Sequence, residues 1–420
     1  MTRAARQAVG AEGPRVTAPL GAGRPLPAGW RWVRLGDVCE ITARQVDPRI
    51  PEFGKLPHVN GENVESGTCR LAGVKTAAED GLISGKYLFE PGDVLYSKLR
   101  PYLRKVVVAE FRGVCSADMY PIRVKLDVDP RFLAWTLLSR DFTEYADRES
   151  RRARMPKLNR DQLFSWTCSL PPINEQRRIV ALLEEQMATV ERARAAAEAQ
   201  LEAATRLPAA CLQAQFDAAG TQAWPRRRVK EVAVLLPSKS ISTNGDFEVI
   251  AVTTACLAEA GFLPAGAKPA RMWAQDAAQC VISRGEVLVA RSNTPDLVGR
   301  VAMFDGEPRG AVASDLTVRI QTREDLMPEF LTRYLSFLYL TGYWKDRAGG
   351  ASGSMKKITR GQIESERVPV PAIEIQQQVV AALKDRMAEA GRIRKHLEDE
   401  LAAINALPAA LLRRAFSGAL

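Results

Sequence analysis

Residues 173–188 read Ile173-Asn174-Glu175-Gln176-Arg177-Arg178-Ile179-Val180-Ala181-Leu182-Leu183-Glu184-Glu185-Gln186-Met187-Ala188. Residues 373–388 read Ile373-Glu374-Ile375-Gln376-Gln377-Gln378-Val379-Val380-Ala381-Ala382-Leu383-Lys384-Asp385-Arg386-Met387-Ala388. A step of 200 lays one on the other, and carries Leu207-Pro208-Ala209-Ala210 onto Leu407-Pro408-Ala409-Ala410 and Phe216 onto Phe416. Across 173–216 and 373–416, 18 of 44 ungapped positions are identical, against about three expected from average composition. The chain is a duplication, so its fold has to be read twice.

Within each copy, apolar residues recur in alternating steps of four and three. The positions are Gln176, Val180, Leu183, Met187, Val190, Arg194, Ala197, Leu201 and Ala204, then Gln376, Val380, Leu383, Met387, Ala390, Arg394, Leu397, Leu401 and Ile404. This heptad pattern predicts two long helices that pair along an apolar seam. Arg194 and Arg394 interrupt the seam at the same heptad position, where a polar residue either fixes register or snorkels out to water. Pro208 and Pro408 cannot continue a straight helix, so each rod is expected to bend or restart there. The residues from Ile173 to Arg206 would span about 50 Å at 1.5 Å per residue.

Outward from the helices the repeat weakens and needs small gaps. Trp30 to Val38 aligns with Trp224 to Val232, and Gly92-Asp93-Val94-Leu95 answers Gly285-Glu286-Val287-Leu288. Ser116-Ala117-Asp118 answers Ala313-Ser314-Asp315, Pro130 to Leu133 answers Pro328 to Leu331, and Met155 to Leu158 answers Met355 to Ile358. The implied organisation is a globular module over 29–172, a helical spacer over 173–220, a second module over 221–372 and a second spacer over 373–420. Residues 1–28 hold Arg3, Arg6, Arg15 and Arg24 among Gly, Pro and Ala without the apolar core of a secretory signal, and are expected to be a disordered leader. Val94-Leu95-Tyr96, Val106-Val107-Val108 and Val287-Leu288-Val289 read as strands, while Phe132 to Leu138 and Phe330 to Leu340 read as amphipathic helices. The expected fold class is α+β, two α/β modules each followed by a long helix.

Composition narrows the function. The chain of 420 residues is 46% hydrophobic and 26% charged with a net charge of +10. By segment the leader carries +3, the modules +4 and +3, and the helices −1 and +1. Rods that pack on protein and modules that meet a polyanion would divide the charge this way. No run of about 18 apolar residues is present to span a membrane. The seven cysteines are scattered without a C-x-x-C pair, so neither a disulfide framework nor a zinc site is indicated, and a reducing cytoplasm suits them. His58 and His396 are the only histidines and have no ligand spacing. There is no G-x-x-x-x-G-K-[ST] phosphate loop and no Asn-Pro-Pro-aromatic motif of an adenine methyltransferase. No catalytic or metal-binding residue is assigned.

Two clusters in each module suit nucleic acid. The first is Ser97-Lys98-Leu99-Arg100-Pro101-Tyr102-Leu103-Arg104-Lys105, matched by Arg291-Ser292-Asn293-Thr294 with Arg300. The second holds Arg151, Arg152, Arg154, Lys157 and Arg160, matched by Arg347, Lys356, Lys357 and Arg360 around Gly349-Gly350-Ala351-Ser352-Gly353-Ser354. Arg, Lys, Ser and Asn contact phosphates and base edges, and glycines let backbone amides come close to a phosphate. A solvated strand-end loop and a polar linker are the bland alternatives.

These features together resemble the specificity subunits of type I restriction–modification systems. Leu170-Pro171-Pro172-Ile173-Asn174-Glu175-Gln176, its copy Val370-Pro371-Ala372-Ile373-Glu374-Ile375-Gln376, the twin Gly-Asp/Glu-Val-Leu segments and the ending Phe416-Ser417-Gly418-Ala419-Leu420 carry the resemblance, which runs from about Trp30 to Leu420. The second copy has Ile375 where the family's usual glutamate stands. The resemblance implies two target-recognition domains, each reading half of a split double-stranded DNA sequence, and two helices packed antiparallel as spacer. A rod of about 50 Å corresponds to about 15 base pairs at 3.4 Å each. It also implies two methyltransferase subunits and two restriction/translocase subunits as partners. S-adenosylmethionine, ATP and magnesium would then belong to those partners, leaving this chain without a cofactor. Rival readings are a related system outside type I, a scaffold whose modules bind protein, and a nuclease hidden in the modules.

Overall fold

The computed structural model describes residues 26–42, 44–150, 155–258, 261–352 and 355–418. Nearly all of the expected leader, and Arg151, Arg152 and Arg154, lie outside them. The chain divides into two compact units, Met1–Ala196 with Leu401–Leu420, and Ala197–Glu400. Each unit therefore takes a module, one end of a long helix and the opposite end of the other.

In the first unit the centre is a four-stranded antiparallel sheet. Its order is Cys39–Ile41, β2 (Met119–Val124), β1 (Val94–Ser97), Val106–Val108. β1 reads Val-Leu-Tyr-Ser and is buried throughout, because the sheet is covered on both faces. With side chains alternating, Val94 and Tyr96 join the core built on α1 (Pro130–Leu137), while Leu95 joins a second core with Val59, Phe89, Cys115 and Met119. α1 starts where its residues dictate: Pro130 opens it and the Asp129 carboxylate accepts from the amides of Arg131 and Phe132. On the far side lies a five-stranded sheet, ordered Gln45–Val46, Lys86–Phe89, Gly113–Cys115, Pro57–Val59, Lys75–Thr76.

α2 (Ile173–Thr205) leaves the first module and α3 (Leu207–Phe216) follows it. The second unit repeats the central sheet with the same order, Ala233–Leu236, β4 (Thr317–Thr322), β3 (Val287–Ala290), Val301–Met303. β3 divides its side chains in the same way, Val287 and Val289 to the core of α4 (Pro328–Leu340), Leu288 and Ala290 to the other face. Its second sheet has only three strands among the described residues, Lys268–Met272, Phe247–Val252 and Val312–Ala313. α5 (Ile373–Phe416) closes the chain.

The strongest sequence repeat is explained by one side chain. Gln176 is completely buried; its Oε1 accepts from the Asp129 amide at 2.8 Å, and its Nε2 donates to the carbonyls of Asp127 and Pro171 at 2.9 and 2.8 Å. Gln376 makes the same three bonds, to the Met327 amide and the carbonyls of Asp325 and Pro371. Each glutamine thus fastens the start of a long helix to the loop ahead of α1 or α4, filling its amide in a dry site where a lost bond costs most. The neighbouring Glu175 only pairs with Arg178 on the surface, and Ile375 is exposed, so the departure at 375 is free of consequence for this joint.

The expected seam is the buried stripe of the helices. Val180, Leu183, Val190, Ala197 and Ala204 are buried, with Met187, Arg194 and Leu201 half-buried. In the second copy Leu383, Ala390 and Leu397 are buried, with Val380, Met387 and Leu401 half-buried. Arg194 bonds Glu191 and Arg394 pairs with Glu398, each on its own helix. Within the first unit Val190 lies beside Leu407 and Leu411, and Leu183 shares a core with Leu412 and Ala415, so the two helices run in opposite directions there. Phe416 packs on Phe132 of α1 at 5.6 Å, and in the second unit Phe216 packs on Phe330 of α4 at 5.8 Å.

The prolines behave differently. α2 stops at Thr205 and α3 restarts with Pro208 in its first turn, as expected. At Pro408 there is no restart: α5 is one helix through it, which corrects that half of the expectation of a bend or a restart. Both prolines are followed by buried residues, Leu212 and Phe216 after Pro208 and Leu412 and Ala415 after Pro408, so the helix at 408 bears one missing hydrogen bond that the restart at 208 avoids.

Candidate nucleic-acid interface

Charge in the sequence does not say which side chains are spoken for. Just ahead of β1 the motif acid Asp93 caps its own turn, accepting from the Glu90 amide, and grips Arg123 of β2 through two bonds of 2.9 Å. Glu286 does the same in the second module, accepting from the Ser283 amide and binding Arg319 of β4. Arg319 and Glu286 are 4% and 3% exposed, and the guanidinium also donates to the carbonyls of Pro237, Gln279 and Val281. Such burial is tolerated because every donor has a partner.

Several residues of the clusters are likewise committed to the fold. Ser97 is buried and its Oγ donates to the Leu99 carbonyl at 3.4 Å. Lys98 is buried, donates to the Ala117 carbonyl and lies over the Tyr120 ring. Burial, with Lys157 and Arg160 nearby, pushes its ammonium below the usual lysine range, and Asp118 partly offsets this. Arg104 donates to the Leu138 carbonyl at 2.7 Å, and Lys105 to that of Gly61. Arg300 leans on Tyr339, Arg347 stacks on Tyr343 at 3.7 Å, and Arg360 ties the carbonyls of Leu235 and Leu236.

What remains on the surface comes from both clusters, and the fold brings them together. Leu99 bridges Lys157, the Arg100 amide donates to the Pro156 carbonyl, and the Leu158 amide donates to the Lys98 carbonyl at 3.0 Å. Arg100, Tyr102, Lys157 and Arg160 are exposed on this patch, Tyr102 by 50%. Arg100 holds a left-handed backbone at φ 48°, which turns the chain out of β1.

In the second module the same joint becomes a small sheet. Ser292–Asn293 pairs with Met355–Lys357, which pairs with Gly349–Ser352, and the Ile358 amide donates to the Arg291 carbonyl at 2.7 Å. A side chain at Gly350 would run into the Met355 carbonyl, which is why glycine stands there. Lys357 is exposed and Lys356, Arg291, Ser292 and Asn293 are half-buried, with the Arg291 Nε buried and unpartnered. Below both joints a capping box fixes the next helix, Asn159 with Gln162 and Thr359 with Gln362.

No group of three His, Cys, Asp or Glu among the described residues could hold a metal, and no described helix is long and apolar enough to cross a membrane. Burial pushes the thiols of Cys39, Cys115 and Cys168 up to about 12, far from a reactive thiolate.

Comparison with known proteins agrees with the duplicated architecture. The type I restriction enzyme EcoDI specificity subunit of Escherichia coli is 37% identical over 163 residues, 39% of this chain, and the chain spans about a third of that relative, 36% of its length. Two solved structures share the fold over nearly the whole chain. One, described in a study of complex assembly and conformational transition of the type I restriction–modification system, matches with TM-score 0.76 at 23% identity over 94% of this chain and all of that one. The other, the HsdS subunit from Thermoanaerobacter tengcongensis, gives 0.65 at 22% identity over 95% of this chain and all of that one. The family model for the type I restriction modification DNA specificity domain matches twice, at residues 27–203 and 223–403. Most of the chain lies within those two matches, and it belongs to the family of type I restriction–modification specificity proteins, carrying two copies of the domain.

Proposed function

We propose that the chain is the non-catalytic specificity subunit of a type I restriction–modification enzyme, acting in the cytoplasm. Each module reads one half of a split DNA sequence, and the long helices set the distance between the halves. The observation that carries this reading is the joint itself: twice, two polar clusters about sixty residues apart in sequence meet at the end of the same buried strand. A cationic surface on a rigid sheet is what phosphate binding and base contact need. Two methyltransferase and two restriction/translocase subunits dock on the assembly. S-adenosylmethionine, ATP and magnesium act on those subunits rather than on this chain.

The test is to express the chain with the methyltransferase encoded beside it and map methylated adenines by long-read sequencing. A single split motif with a fixed spacer is expected. Exchanging residues 221–372 for another module should rewrite only one half of it. A continuous motif, or a rewrite of both halves, would sink the reading.

A further inference from the structure

The two joints share a third segment, the turn that enters β2 or β4. In the first module the Ser116 Oγ accepts from the Asp118 amide at 3.2 Å, and the Met119 amide donates to the Ser116 carbonyl at 2.9 Å. In the second, the Ser314 Oγ accepts from the Leu316 amide at 3.4 Å and the Thr317 amide donates to the Ser314 carbonyl at 3.0 Å. These are the same turn. The next bond agrees: the Lys98 amide donates to the Asp118 carbonyl at 3.0 Å, and the Arg291 amide to the Leu316 carbonyl at 2.9 Å. Asp118 therefore corresponds to Leu316, one place on from the Asp118–Asp315 match that the letters of the sequence suggest.

Neither side chain at this shared position makes a hydrogen bond or ion pair with a described residue, and the Asp118 carboxylate acts on the fold only through its charge, which favours the Lys98 ammonium. Asp118 is exposed, and Leu316 is 46% exposed, an apolar group held in water beside the half-buried Arg291. A position that one fold fixes twice, with a carboxylate in one copy and an isobutyl group in the other, is a place where the scaffold is constant and the chemistry is free to differ. Both lie one hydrogen bond from the strand end that carries the cationic patch. In the major groove a carboxylate accepts from the exocyclic amino group of cytosine or adenine, whereas an apolar group packs on the methyl group of thymine.

We propose that Asp118 and Leu316 are base-reading residues at equivalent positions of the two modules. Asp118 selects a base that offers an amino group in the first half-site, and Leu316 selects thymine in the second. This rests on the DNA-reading function proposed above. It adds a residue pair that the basic clusters do not contain, and it assigns each of the two a different class of base.

The experiment uses the full chain co-expressed with its methyltransferase, comparing methylation maps of the unaltered protein, Asp118→Asn and Leu316→Ala. Each variant is expected to relax one base position in one half-site, with preference there falling on the order of tenfold or more, and to leave the other half intact. The two variants should relax opposite halves. An unaltered protein with no split motif overturns the reading of the whole chain and this inference with it. A split motif that both variants leave unchanged overturns this inference alone. So does a change in both halves from one variant, or weaker methylation at an unchanged motif.

Discussion

The two modules are built on the same four strands in the same order, yet they differ in what surrounds them. Among the described residues the first backs its central sheet with five strands and presents a loop with Arg100, Tyr102 and Lys157, while the second backs it with three and presents a small ribbon sheet at Ser292–Asn293. What stays fixed is the set of contacts that hold strands and helices to one another: glutamine to loop, acid to arginine, capping box to helix. What changes is the rim beyond the strand ends. Sequence similarity between the copies decays accordingly, high along the helices, where packing constrains each position, and low across the rim, where it does not.

The comparison can be broken most sharply at the motif acids. Glu286→Ala strands a buried guanidinium and should cost about 3–5 kcal/mol. Asp93→Ala should cost about 1–2 kcal/mol, since Arg123 is 46% exposed and can turn to water. Calorimetry of the two variants checks this, and equal losses would mean that the two pairs are equivalent after all. The glutamine joint predicts the opposite symmetry. Gln176→Leu and Gln376→Leu each abandon three bonds in a dry site and should lose the same amount, about 2–4 kcal/mol. Pro408→Ala restores a bond inside a continuous helix and should stabilise the chain by about 1–3 kcal/mol, whereas Pro208→Ala, at a helix start, should change little. The smallest effect concerns binding. Lys157→Ala should reduce the slope of log affinity against log salt by about one, and Lys105→Ala, whose ammonium is already bonded to Gly61, should leave that slope alone. Titrations on duplex DNA at several salt concentrations would show equal slopes if Lys105 were also a phosphate contact.

Much of this was legible from residues alone. The 200-residue step revealed the duplication, the four-three spacing marked the buried stripe of the helices, and the apolar triplets gave the central strands. Less legible was which polar residues serve the fold. Lys98, Arg104, Lys105 and Arg360 look like Arg100 and Lys157 in a string of letters, but their donors end on backbone carbonyls of segments far away in sequence. Nor does a pattern of letters reveal that Asp118 answers Leu316, since the shared feature is a serine hydroxyl bonding two residues on. The two prolines look alike in the sequence, yet one opens a new helix and the other lies inside one.

The division of the chain has a consequence for how the protein is made. The second unit is one uninterrupted stretch, whereas the first cannot be finished until Leu401–Leu420 arrives with Leu412, Ala415 and Phe416 for its core. At synthesis rates of about 5–20 residues per second, the module that leaves the ribosome first waits on the order of ten to forty seconds for its last core residues. The first-made unit is thus the last to close, and a chain cut short near its end would carry a complete second unit beside a first one with an open apolar face.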